Sequence, residues 1–359
     1  MSKYLLYIVT GLSLVLSAGA IADDAPPTLG ERVGYALSLA RNAAHGDGKS
    51  LTELQTNAVQ DPAAEFGLGE YYYFTKDYPQ SIAWLKKSAD HGFPGGYYGL
   101  GKAYELGLGV AVDDAQAMRL YLQATAIPEA DLHIGDLYGF GKGVPLDEAQ
   151  ALSWYRKAAQ AGSVMAAVRL GFMYERGTTV KQDYVEALQW YRMAAGMGDA
   201  AAQYLVGHIY GQPGSLQDYK QAAAWYQKAS QQGMAEAQFS LGELYSEGKG
   251  VPIDPAKAVQ QFQMAANQGQ PQAQCRLAQS FADGTGVPAD PFRAYQWFAL
   301  TQMWPFNQGG QACDMAPDRL KQLEQQLGPA QTARARQAAE AWRDSHSGND
   351  SKQDDLPPF

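Results

Sequence analysis

The strongest constraint on this chain is a phrase that returns at a nearly fixed interval. WYRKAAQAG at 154–162 recurs as WYRMAAGMG at 190–198, as WYQKASQQG at 225–233 and, worn, as QFQMAANQG at 261–269, with starts 36, 35 and 36 residues apart. A second phrase, small-x-apolar-x-Leu-Gly-x-x-Tyr, precedes it: AEFGLGEYY at 64–72, GYYGLGKAY at 96–104, ADLHIGDLY at 130–138, AAVRLGFMY at 166–174, AQYLVGHIY at 202–210 and AQFSLGELY at 237–245, ending in AQCRLAQSF at 273–281. Its glycines, Gly69, Gly101, Gly135, Gly171, Gly207 and Gly242, give way to Ala278 in the last copy. Periodicity of this kind marks units that cannot bury an apolar face alone and must stack.

Each unit reads as two helices. Counting the small residue as position one, positions one, five, eight and nine share a face, as in Ala166, Leu170, Met173 and Tyr174. A glycine inside a helix costs about 1 kcal/mol against alanine, so its recurrence predicts close approach by a neighbouring helix backbone. A glycine-containing turn follows: GLGVAVD (107–113), GKGVPLD (141–147), GTTVKQD (177–183), GKGVPID (248–254) and GTGVPAD (284–290). Its glycines suit the end of the first helix, and Asp113, Asp147, Asp183, Asp254 and Asp290 suit N-caps of the second, a reading preferred to calcium loops. The second helix carries Trp154-Tyr155 as buried aromatic area, Ala158-Ala159 for tight contact and Gly162 as its end.

AxxxLGxxY, GxGVxxD and WYxxAAxxG in this order resemble the Sel-1-like repeat, a relative of the tetratricopeptide repeat, over about residues 62–303. The resemblance implies an all-α, right-handed superhelical α-solenoid of about seven helix-turn-helix units whose first helices line a concave side. Two units depart from the pattern: the first has a shortened turn, FTKDYPQS, and the second replaces the tryptophan by Leu120 and ends ATAIP. Residues 23–61 read as a linker and N-terminal helical cap. Residues 304–346 read as a C-terminal cap of two amphipathic helices around Gly328-Pro329, and 347–359 as a disordered acidic tail.

Composition sets the setting. The chain has 359 residues, 46% of them hydrophobic, and a net charge of −9, which argues against nucleic acid or anionic lipid as the main partner. Lys3, the apolar run LLYIVTGLSLVL and SAGAIA read as a signal peptide over residues 1–22, cleaved after Ala20 or Ala22. The run is shorter than the roughly 18 residues of a spanning helix, so a periplasmic or secreted protein with no integral segment after cleavage is expected. In that oxidising setting Cys275 and Cys313 are expected to form a disulfide, two separately buried thiols being the alternative.

Several spellings of catalytic motifs fail on context. Gly48-Lys49-Ser50 completes a loose phosphate-loop pattern, yet the stretch before it looks helical and no strand alternation occurs. Ser246-Glu247-Gly248-Lys249 spells SxxK, but it falls in the repeat turn and no KTG or SDN partner follows. The histidines His45, His91, His133, His208 and His346 form no metal-ligand motif, so neither metal nor cofactor is expected.

What varies between units is a stripe at positions four, seven and eleven of the first helix, opposite positions one, five and eight. Its middle, His133, Asp136, Arg169, Phe172, Arg176, Leu205 and His208, offers cations and an aromatic of the types that anchor interfaces. The expectation is a non-enzymatic scaffold or adaptor of the cell envelope that binds a partner protein or peptide on this stripe. The resemblance also implies one alternative, a β-lactamase-like or penicillin-binding protein acting through Ser246, and the aromatics Tyr71, Tyr72, Tyr73 and Phe74 with Tyr97 and Tyr98 raise another, a glycan-binding module, against their burial on the N-terminal cap.

Overall fold

The computed structural model describes residues 27–177, 179–303 and 313–347, so the expected signal peptide, the start of the linker and the tail from 348 onward lie outside the described residues. Among these, every regular element is a helix. Two helices, α1 (Leu29–Ala44) and α2 (Gly48–Asn57), precede the pairs α3 (Pro62–Phe74) and α4 (Tyr78–Asp90), α5 (Pro94–Leu106) and α6 (Asp114–Gln123), α7 (Pro128–Phe140) and α8 (Glu148–Gln160), and α9 (Val164–Arg176) and α10 (Tyr184–Gly196). The chain then divides into a second compact unit that begins at Gly198. It holds α11 (Ala200–Gly211) and α12 (Tyr219–Gln231), α13 (Ala235–Glu247) and α14 (Pro255–Asn267), α15 (Pro271–Asp283) and α16 (Pro291–Met303), and the closing α17 (Ala316–Ser347). Gly328, at φ 73°, breaks α17 into two helices just before Pro329.

The turns follow from their glycines and aspartates. Gly107, Gly141, Gly177, Gly248 and Gly284 end their helices in the left-handed conformation, which glycine adopts without a Cβ clash. The second glycine of GxGV has a different task. A Cβ on Gly250 would lie 2.2 Å from the Tyr219 carbonyl carbon, and one on Gly143 would lie 2.5 Å from that of Asp114. The turn therefore rests against the first residues of the preceding unit's second helix. Asp113, Asp147, Asp183, Asp254 and Asp290 then cap the following helices by accepting from backbone N–H groups, so the acid row has a capping role.

The recurrent helix glycine has another cause than the expected neighbouring backbone. A Cβ on Gly171 would lie 2.4 Å from Cε1 of Tyr191, and the rings of Tyr121, Tyr155, Tyr226 and Phe262 fill the same notch over Gly101, Gly135, Gly207 and Gly242. The partner is thus a ring of the unit's own second helix, with Leu85 in its place over Gly69. Tyr121 and Tyr191 are wholly buried, and each ring brings a hydroxyl that needs a partner. Tyr121 donates to Glu105 at 2.6 Å, Tyr155 to Asp136 at 2.7 Å and Tyr191 to Glu175 at 2.7 Å, each acid lying on the first helix beneath the ring. In the WY phrase, then, Tyr is the core residue. Trp154 and Trp225 are half-buried, with Lys157 and Lys228 stacked over them at 4.5 and 3.9 Å.

Position two of the first helix adds a buried polar tie. In the N-terminal unit it is Glu65, which meets Lys87 at 3.1 Å and His91 at 2.7 Å, and Asp131, which meets Lys157 at 3.0 Å. Burial pushes the Asp131 carboxyl above its ordinary value in spite of Lys157. In the second unit the position holds glutamine: Gln232 donates to Gln203 and the Gly198 carbonyl, and Gln268 to Gln238 and the Gly233 carbonyl. A disulfide joins Cys275 of α15 to Cys313, beside the start of α17. Ala335, Ala339 and Leu323 of α17 are buried with Trp297 and Phe298 of α16, and Arg336 donates to the Tyr295 hydroxyl at 2.9 Å.

Candidate functional site

The expected stripe separates into paired and unpaired members. On α9, Arg169 forms an ion pair with Asp136 of α7 and also reaches the Tyr155 hydroxyl at 3.4 Å. The pair is three-quarters buried or more, and Asp136 already accepts from Tyr155. These two predicted site residues are therefore brought together, but as an inter-repeat tie. Arg276 and Glu243 repeat it in the second unit at 2.8 Å with the same sequence separation of 33, and Arg319 meets Asp283 at 3.1 Å.

His133 belongs to the same class of tie. Its ring stacks on Tyr121 with centroids 5.0 Å apart, and Nδ1 lies 3.0 Å from Glu105 Oε2, a contact that becomes an ion pair when the imidazole is protonated. Burial works to raise the Glu105 carboxyl, but His133, Tyr121 and Lys142 outweigh it, and the net direction is downward. In the second unit, on α11, Leu205 and His208 are both half-buried. His208 lies beside Tyr204, and its Nε2 is 2.9 Å from Gln212 Nε2.

Phe172 and Arg176 differ. Phe172 is 45% exposed, and the Arg176 guanidinium sits over its ring at 4.6 Å. Phe140, at the end of α7, is 64% exposed. Because Arg169 meets Asp136, α9 and α7 are in known register, and Phe172 and Phe140 follow one turn further along the same flank. Two exposed phenylalanines and a stacked guanidinium thus continue a flank whose other polar members are consumed internally.

The aromatic cluster of α3 is largely self-satisfied. Tyr71 packs edge-on to Tyr72, Tyr73 packs edge-on to Phe74 and Tyr78, and the Lys102 ammonium fills the space between Tyr73 and Tyr98 at 4.6 and 5.4 Å. In the SxxK spelling, Lys249 Nζ lies 2.6 Å from Glu247 and over the Tyr219 ring. Gly48-Lys49-Ser50 opens α2, where the Asp47 carboxylate occupies the N-terminal donors that a phosphate would need. No group of three His, Cys, Asp or Glu side chains among the described residues is placed to hold a metal ion. Nor is any described helix long and apolar enough to cross a membrane.

Helix pairs locked by a Gly–Tyr notch, a left-handed glycine turn and an aspartate cap define a class of helical-hairpin repeat protein. The family model for the Sel1 repeat matches seven successive segments, residues 62–93, 94–126, 128–163, 164–199, 200–234, 235–270 and 271–300. The chain belongs to the Sel1 repeat family, whose fold is an all-α repeat solenoid and whose members generally mediate protein–protein interaction. A solved Sel1 repeat protein from Oxalobacter formigenes is similar at 31% identity over 66% of this chain and 98% of its own, with a TM-score of 0.57. A protective antigen of uropathogenic Escherichia coli displaying an SLR fold is similar at 23% identity over 92% of this chain and 83% of its own, with a TM-score of 0.45. No curated protein sequence matches this one.

Proposed function

We propose that this chain is an exported, non-enzymatic scaffold of the bacterial cell envelope, and that the first-helix flank around Phe140, Phe172 and Arg176 holds a segment of a partner protein. The observation that carries the reading is the exposure of two phenylalanines, 64% and 45%, on a flank where Asp136 and Arg169 are satisfied internally. Large aromatics and arginine are the residue types that anchor interfaces, and a rigid helical surface loses little entropy when it binds. Arg169, Asp136 and His133 then act as support for the face.

Affinity capture from envelope extract with the chain and its Phe140→Ala/Phe172→Ala variant tests this. The same partner should be recovered by the parent and lost, or reduced about tenfold or more, with the variant, because two anchor truncations remove about 1–2 kcal/mol each. Unchanged recovery would rule out this flank. The non-enzymatic part is checked with nitrocefin: hydrolysis above that of a Ser246→Ala control would overturn it. Detection of the chain only in the cytoplasmic fraction would overturn the envelope assignment.

A further inference from the structure

We infer that the segment bound at Phe140, Phe172 and Arg176 carries a carboxylate next to an apolar side chain, so that an acidic-apolar peptide is the preferred occupant. The inference rests on the proposed function above and deepens it.

Arg169 meets Asp136, Arg276 meets Glu243, and Arg319 meets Asp283. Even the half-buried Lys102 has Glu70 at 3.8 Å. Arg176 departs from this pattern, for its guanidinium lies on the Phe172 ring and no carboxylate pairs with it among the described residues. A guanidinium stacked on an aromatic keeps its edge donors directed sideways, a planar fork that matches a carboxylate bidentately. Stacking also removes water from one face and fixes the rotamer, so less ordering entropy is lost when an anion docks.

The second half of the pocket is apolar. Phe172 is shared between the guanidinium and solvent, and Phe140 precedes it on the neighbouring first helix in the register set by Arg169 and Asp136. A peptide that places an aliphatic or aromatic side chain on Phe140 and a carboxylate at Arg176 would satisfy both. A basic segment would meet the Arg176 charge, and a purely apolar one would cover that cation without pairing it, which is unfavourable. The chain as a whole has a net charge of −9, so this is contact recognition rather than long-range steering.

The test is selection from a random peptide library displayed on phage, with the full chain immobilised, followed by affinity measurement of a synthetic peptide of the selected sequence. Three variants accompany it: Arg176→Glu, Phe140→Ala/Phe172→Ala, and Arg119→Glu, which makes the same charge change on α6. Enrichment of Asp or Glu within a few positions of an apolar residue is expected. Binding should fall about tenfold or more with Arg176→Glu, since bonds to charged groups are among the stronger ones, and should be unchanged with Arg119→Glu. Peptides that lose binding with Phe140→Ala/Phe172→Ala but contain no acid, or ignore Arg176→Glu, would overturn this inference and leave the proposed face standing. No enrichment, or peptides indifferent to both phenylalanines, would overturn both. Circular dichroism of each variant verifies that the helical content is retained.

Discussion

Replacing Gly171 by alanine should destabilise the protein, although helix propensity alone says the reverse. Alanine is favoured over glycine inside a helix by about 1 kcal/mol. At Gly171, however, the new Cβ would stand 2.4, 2.5 and 2.9 Å from Cε1, Cδ1 and Cζ of Tyr191. Carbon pairs prefer about 3.5–4.0 Å, so the ring would have to retreat by about 1 Å. Tyr191 is wholly buried, and its hydroxyl is held at 2.7 Å by Glu175, so little room exists for that retreat. Overpacking of this kind costs about 1–3 kcal/mol, and three close atoms place the case toward the upper end. The net expectation is a loss of about 1–2 kcal/mol. Gly196, the last residue of α10 with nothing near its missing Cβ, supplies the control, where alanine should be neutral or stabilise by up to about 1 kcal/mol. Urea denaturation followed by far-ultraviolet circular dichroism reads both. With a slope near 3 kcal/mol/M the Gly171→Ala midpoint should drop by about 0.3–0.7 M. If Gly171→Ala instead unfolds at or above the parent midpoint, together with Gly196→Ala, the Gly–Tyr notch is not what fixes the helix pair.

Three further outcomes follow from the same structure. Cys275→Ala/Cys313→Ala should lower stability by about 4 kcal/mol by the loop-entropy estimate for a bridge spanning 38 residues, and the parent in reductant should show a comparable loss in urea denaturation. Arg169→Ala should reduce thermal stability by about 1–2 kcal/mol, discounted for the quarter of the side chain that is exposed, while peptide affinity at Arg176 changes little. Because the Glu105 carboxyl is held below its ordinary value of 4.5, its contribution to stability is fully present above that pH and is lost as pH falls through the lower folded value. Thermal melts between pH 6 and pH 3.5 should therefore show a shallower acid-side decline for Glu105→Gln than for the parent.

Much of the fold was legible because repeat grammar is written in side-chain size. The turn glycines, the capping aspartates and the alternation of two helices all followed from Gly141, Asp147 and their counterparts. The filling of the glycine notch was not legible. A missing side chain in a helix is compatible with a neighbouring backbone or with a ring, and only the angle of the helix pair brings Tyr191 onto Gly171. The pairing of the stripe's charges was not legible for a related reason: a charge at a variable position looks the same in sequence whether it faces solvent or a neighbouring helix. The sequence alone therefore did not show that Arg169 pairs with Asp136 on the neighbouring first helix. The signal that could have separated them is the spacing of 33 residues shared by Asp136 with Arg169 and Glu243 with Arg276. Phe172 and Arg176, four residues apart on one helix, could be paired from sequence because that contact is local.

The most direct test of the central claim is site-specific photocrosslinking in living cells. A photoreactive residue would be placed at Phe140 or Phe172 on the first-helix flank, and at Ser153 or Gln189 on exposed positions of the second helices. The account predicts adducts to one and the same envelope protein from Phe140 and Phe172, and none from Ser153 or Gln189. Adducts of equal yield from all four positions, or adducts only from the second helices, would contradict it.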